Sequence, residues 1–176
     1  ETAHADMVCL TQPVLDWGAK RFVAKPVVPG SAVRGLLRSR VITAMTATGM
    51  DRADIKAAVA NLFGTAEDSA RRGRIDVHGC VLEDTATQRL AHVAIDRLTG
   101  GALRGALFTE EPIWVDDLQI PIQITLRGVS EEDLFWLVHA VLDIHDGIAP
   151  LGGGTRRGNG TLRIAKKKGS DFGGFA

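Results

Sequence analysis

The sequence predicts an α+β fold of the ferredoxin-like type, a β-α-β-β-α-β order with helices covering one face of a sheet. Three observations lead there. Val33, Leu36, Leu37, Val41 and Ala44 recur at helical spacing behind the turn Pro29-Gly30-Ser31, whose serine is a good N-cap. Ile120, Ile122, Ile124 and Leu126 alternate through the clearest strand of the chain. Ser130 and Asp133 then open a helix in the manner of a capping box, with Leu134, Leu137, Val138, Val141 and Leu142 turned inward.

Residues 1–29 hold Pro13, Pro26 and Pro29 and no helical period, so they read as extended and looping, with Met7-Val8-Cys9-Leu10 as a short strand. The helix after Ser31 stops at Gly49. Asp51 caps a second, with Ile55, Ala58, Val59 and Leu62 on one face and Gly64 at its end. Ile75, Val77, Gly79 and Val81 alternate with Arg74, Asp76, His78 and Cys80 in a half-buried strand. Val93 and Ile95 mark another strand. From Ile95 a polar, glycine-bearing excursion runs to Leu107-Phe108 and Glu110-Glu111. Leu162 and Ile164 form one side of a last strand, expected to share a core with Ile122, Ile124, Leu137 and Val141. Residues 166–176 are a basic, then glycine-bearing tail.

A length of 176 residues suits one core, so a single domain over 1–176 is expected. Lys+Arg 21 and Asp+Glu 21 cancel to a net charge of +0, which argues against a nucleic-acid binder held by bulk charge. Segregated basic clusters, among them Arg34/Arg38/Arg40 and Arg156/Arg157, leave room for binding on one face. The 2 cysteines, Cys9 and Cys80, show no zinc spacing and no disulfide framework. A reducing cytoplasm is therefore expected, with no structural metal. No apolar run reaches the ~20 residues that span a bilayer, so no membrane partner is expected. The chain opens at Glu1 without a methionine, as a fragment, a processed form or one repeat of a longer protein does.

The stretch Gly152-Gly153-Gly154-Thr155-Arg156-Arg157-Gly158-Asn159-Gly160 stands apart, because five of its nine residues are glycine. Such a loop exposes backbone N–H groups, and its paired arginines suit phosphate oxygens. It lacks the Gly-Lys-Ser/Thr ending of a nucleotide-triphosphate loop. In the predicted fold it can approach Pro29-Gly30-Ser31, where a helix N-terminus meets Arg34 and Arg38, and the two could share one anionic backbone. The alternatives are a surface turn and a capped amphipathic helix with solvated arginines. Aromatics are only 5%, so base stacking is not expected to be the main grip.

Pro29-Gly30-Ser31-Ala32-Val33-Arg34-Gly35-Leu36-Leu37-Arg38 resembles the Pro-Gly-Ser motif of the RAMP superfamily of CRISPR proteins. Leu62-Phe63-Gly64 and the run Ile95-Asp96-Arg97-Leu98-Thr99-Gly100-Gly101-Ala102 are similar to its backbone subunits in type III effectors. Residues 152–160 resemble the family's C-terminal glycine-rich loop, and the motifs lie in the family's order over nearly the whole chain. The resemblance implies an RRM-like palm that grips guide CRISPR RNA, and a thumb insertion at about residues 96–112. It also implies single-stranded target RNA and adjacent RAMP copies or other effector subunits as partners. Ser31, Arg34, Arg38, Gly152, Gly153, Gly154, Thr155, Arg156, Arg157 and Gly158 would hold guide phosphates, with Arg97 and Thr99 meeting RNA on the thumb.

In catalytic members an aspartate before Pro-Gly-Ser cuts target RNA with Mg²⁺ or another divalent cation. Asp6 matches best and Asp16 second; Asp6 serves equally well as a turn cap. RNA carries its own nucleophile, the 2′-OH, so one carboxylate holding a metal or accepting a proton is enough chemistry. The leading reading is thus an RNA-guided endoribonuclease subunit. The others are a non-cutting scaffold subunit and a guide-processing ribonuclease relying on His4, His78 or His92.

Overall fold

A computed structural model of the chain describes residues 5–65 and 70–165. It folds as two compact units, each assembled from two separate stretches of chain. The predicted tail at 166–176 and His4 lie outside the described residues.

The first unit joins the chain up to Pro29 to Gly79–Ile122. Its first sheet runs β1 (Met7–Val8), β7 (Ala102–Glu111), β6 (Leu90–Ile95), with β1 parallel and β6 antiparallel to β7. The second runs β2 (Thr11–Asp16), β3 (Arg21–Val28), β5 (Cys80–Val81). Where the sequence reads as looping, β2 and β3 form a hairpin in register from Thr11↔Pro26 to Asp16↔Arg21. Pro13 is tolerated because β2 lies at a sheet edge, where a missing N–H costs no ladder bond on the open side. Asp16 closes the turn by accepting from the Ala19 N–H at 3.0 Å.

The excursion after Ile95 is likewise a hairpin, since Ile95 pairs with Ala102 and β7 continues unbroken to Glu111. His92 and Phe108 stack across it at 5.0 Å, and His92 Nε2 lies 2.8 Å from the buried Glu110 carboxylate.

The second unit comprises Gly30–His78 and the chain from Gln123 onward. It holds α1 (Gly30–Ala47), α2 (Arg52–Phe63), α3 (Glu131–His145) and the antiparallel pair β4 (Ile75–His78) and β8 (Gln123–Leu126). Val33, Leu37, Val41 and Met45 form the buried stripe of α1. Val59, Leu62, Phe63, Ile75, Trp136, Leu137 and Ala140 are buried with them. The apolar faces read at helical period hold for α1 and α2. In α3, Val138 and Leu142, expected inward, are exposed, and Trp136 and Ala140 take buried places beside Leu137. Caps at α2 and α3 are the expected ones: Asp51 accepts from Ala53, and Ser130 and Asp133 bond reciprocally. Helix α1 begins at Gly30, which puts Ser31 inside its first turn rather than at the N-cap.

Two further expectations change. Ile124 and Ile164 are 38% and 43% exposed, while Leu137 is buried as expected. Among the described residues strand β8 has β4 as its one neighbour, so a single ladder shields Ile124. Residues 161–165 alternate in sequence yet pair with no strand among the described residues; the Ile164 N–H donates instead to His145 Nδ1 at 3.0 Å. None of the described helices is long and apolar enough to cross a membrane.

Candidate nucleic-acid interface

In the second unit the glycine-rich loop is closed at its base, where the Leu151 N–H donates to the Gly160 carbonyl at 2.8 Å. A tight helical turn, Thr155–Arg157, sits at its head between Gly154 (φ 67) and Gly158 (φ 90), both left-handed. The Arg157 N–H donates to the Gly154 carbonyl at 2.8 Å, and the Asn159 and Arg157 side chains lie over Gly154. Gly152, Gly153, Arg156, Arg157 and Gly158 are exposed, while Gly154 and Thr155 are half-buried. Gly153 is singular. It has no left-handed φ, and a Cβ added there would meet nothing within 4 Å, so this chain gives no reason for glycine at 153.

Gly35 repeats the pattern. It lies inside α1, exposed, and an added Cβ would again find nothing within 4 Å. Glycine inside a helix destabilises it by roughly 0.5–1 kcal/mol relative to alanine, and no packing within the fold offsets that. The sequence shows Gly35 only as a motif letter, and its idleness emerges from the surroundings.

The arginines of α1 divide. Arg34 is half-buried and its guanidinium donates to the Phe63 carbonyl, one of the orphan acceptors ending α2. Arg40 binds Asp143 of α3 through two nitrogens at 2.8 and 2.6 Å. Arg38 and Ser31 are exposed and have no side-chain bond among the described residues. Of the arginines expected at phosphate, Arg38 is the one α1 leaves available.

In the first unit Asp6 is fastened to β7. Its Oδ2 accepts from the Thr109 N–H at 2.7 Å and the Thr109 hydroxyl at 3.0 Å, while the Asp6 N–H donates to that hydroxyl oxygen at 3.2 Å. The Thr109 N–H, then its hydroxyl, and more weakly the Arg89 charge hold the Asp6 carboxyl below the usual aspartate value. Among the described residues no group of three His, Cys, Asp or Glu is placed to hold a metal ion. Asp6 presents one carboxylate. Asp16, the second candidate, caps the β2–β3 turn.

At the tip of the β6–β7 hairpin, Asp96 Oδ1 accepts from the Leu98 and Thr99 N–H groups at 2.7 and 3.0 Å. Those bonds, Thr99 first, lower the Asp96 pKa. The Thr99 hydroxyl oxygen accepts from the Gly101 N–H at 3.3 Å, so it serves the turn. Arg97 is exposed with no partner among the described residues, beside Leu98 at 96% exposure.

The sequence model of the RAMP superfamily matches residues 19–163. The chain belongs to the RAMP superfamily. That match takes in β3, α1, the β6–β7 hairpin and the glycine-rich loop, and it leaves β2, Asp6 and Asp16 outside. Among solved structures the RAMP chain is similar to a chain of a "Type IV-B CRISPR Complex", with a TM-score of 0.63 at 18% identity. The likeness covers 95% of this chain and 90% of that one. A comparison with curated protein sequences gives no match. The RAMP chain thus has the α+β, ferredoxin-like fold expected from its order of elements.

Proposed function

We propose that this RAMP chain is a guide-RNA-binding subunit of a multi-subunit CRISPR effector, occupying a repeated backbone position. The observation that carries the reading is the pair of glycines, Gly35 and Gly153, that the fold does not require. Bare backbone at an exposed site lets a phosphate chain approach closely, and each glycine lies beside exposed arginine, Arg38 or Arg156. Motifs similar to type III backbone subunits support the repeated position, and the likeness in fold to a chain of a type IV-B CRISPR complex supports membership of a multi-subunit effector. Phosphate contacts carry no sequence information, so Arg156→Ala and Gly153→Ala should weaken every guide about equally. Weakening that depends on guide sequence, or none at all, would overturn the assignment of the loop.

A second reading, cleavage of target RNA, is favoured by the ionised, fixed carboxylate of Asp6. Both Thr109 bonds fall on Oδ2, and Mg²⁺ commonly takes one carboxylate together with substrate phosphates. Asp6 therefore fits as a protein ligand for a divalent cation shared with RNA. When bound, the cation neutralises charge on the scissile phosphate. The chain's own part is to keep Asp6 charged and oriented through Thr109. Mg²⁺-dependent cutting that is lost in Asp6→Asn, with guide binding retained, supports this reading. Cutting retained there and lost in Asp16→Asn moves it to Asp16, and cutting absent from the wild type leaves a scaffold.

A further inference from the structure

The β2–β3 hairpin is a stiff arm with an unused end. Six consecutive residue pairs, from Thr11↔Pro26 to Asp16↔Arg21, hold its strands together. Its turn is fixed by the Asp16–Ala19 bond and by Lys20 in a left-handed conformation at φ 50. At that end Trp17 is 83% exposed and Phe22 71% exposed, and neither ring touches another aromatic ring among the described residues. The fold does not use these two side chains.

The charges around them have a sign. Lys20 and Arg21 are exposed and form no ion pair among the described residues. Asp16, the one acid at the tip, lies across from Arg21 in the ladder but turns its Oδ1 to the Ala19 N–H. Further down the arm Lys25 is neutralised by Glu83, so the uncompensated positive charge is confined to the aromatic end.

We propose that the tip, Trp17 with Lys20, Arg21 and Phe22, is a stacking platform for the bases of single-stranded RNA. The proposal rests on the reading of the chain as an RNA-binding subunit. Every base offers a π-face, and exposed rings beside cations bind single strands with little sequence preference. Charge complementarity favours a polyanion. The site therefore adds base contacts to a subunit whose phosphate contacts lie elsewhere in the chain.

The test uses the full chain with two labelled strands of equal length, an oligouridine and an abasic sugar-phosphate. Trp17→Ala should weaken oligouridine binding about ten-fold and leave the abasic strand unaffected. Trp17→Phe should keep most of the affinity while removing a component of tryptophan quenching by oligouridine. Lys20→Ala with Arg21→Ala should weaken both strands and flatten the salt dependence. Equal oligouridine affinity in Trp17→Ala and wild type overturns the proposal. So does a change in the sedimentation of RNA-free Trp17→Ala with RNA affinity intact, which assigns the tip to a protein partner. If wild type binds neither strand, the RNA-binding reading falls and this proposal with it. If wild type binds and Gly153→Ala alone weakens it, the RNA reading stands and the tip proposal falls.

Discussion

Leu151 and Gly160 meet backbone to backbone at the neck of the glycine-rich loop. The Leu151 N–H donates to the Gly160 carbonyl at 2.8 Å, and a Cβ on Gly160 would collide with the Leu151 carbonyl. Gly160 also has φ 79, in the region that favours glycine. Two constraints thus coincide at one residue.

Gly160→Ala should therefore open the neck. The left-handed conformation alone costs about 1–2 kcal/mol for an alanine, and the collision adds to it. Thermal melting should drop, and RNA affinity should fall with it because Thr155–Arg157 is no longer held between its flanking glycines. A variant that melts with the wild type would show that the neck is not closed as described.

Asp6 and Thr109 give a pH signature. Thr109 donates its N–H and its hydroxyl to the Asp6 carboxylate, so the folded form titrates below the ordinary value. Its stabilising effect is complete above the unfolded aspartate pKa, about 3.9, and is lost as pH falls through the lower folded value. The stability gap between wild type and Asp6→Asn should be widest near neutrality and close below about pH 4. Denaturant titrations across that range measure it; a gap independent of pH would contradict a charge-dependent clasp.

Arg34 and Arg38 should separate in opposite directions. Arg34→Ala removes the charged donor at the end of α2, and stability should fall by about 1–3 kcal/mol. Arg38→Ala, at an exposed position with no bond, should stay within about 0.5 kcal/mol of wild type while weakening RNA binding and reducing its salt dependence. Urea unfolding and RNA titration at two salt concentrations give both readings. Arg38 governing stability and Arg34 governing salt dependence would reverse the assignment.

Local features of the fold were legible in the sequence. Asp51, Ser130 with Asp133, and Gly64 mark helix ends by chemistry that acts within a few residues. The β2–β3 hairpin was not, because Pro13 looks like a breaker until the edge position of β2 is known. Leu162 and Ile164 show the opposite error, since alternation describes side-chain faces and supplies no neighbouring strand. At the candidate site the glycine-rich loop shows in composition alone. The partners of Arg34 and Asp6 lie 29 and 103 residues away, beyond any local pattern.

Gly35 provides the most direct measurement. It lies inside α1, exposed, with nothing within 4 Å of an added Cβ. If guide-RNA backbone approaches the helix there, Gly35→Ala should make the free protein more stable by about 0.5–1 kcal/mol, near 2 °C in Tm. The same variant should bind guide RNA about ten-fold more weakly, because the added methyl group holds the phosphate chain away from a charge-assisted hydrogen bond to Arg38. A Gly35→Ala protein that melts higher and binds guide RNA as tightly as wild type would contradict the account.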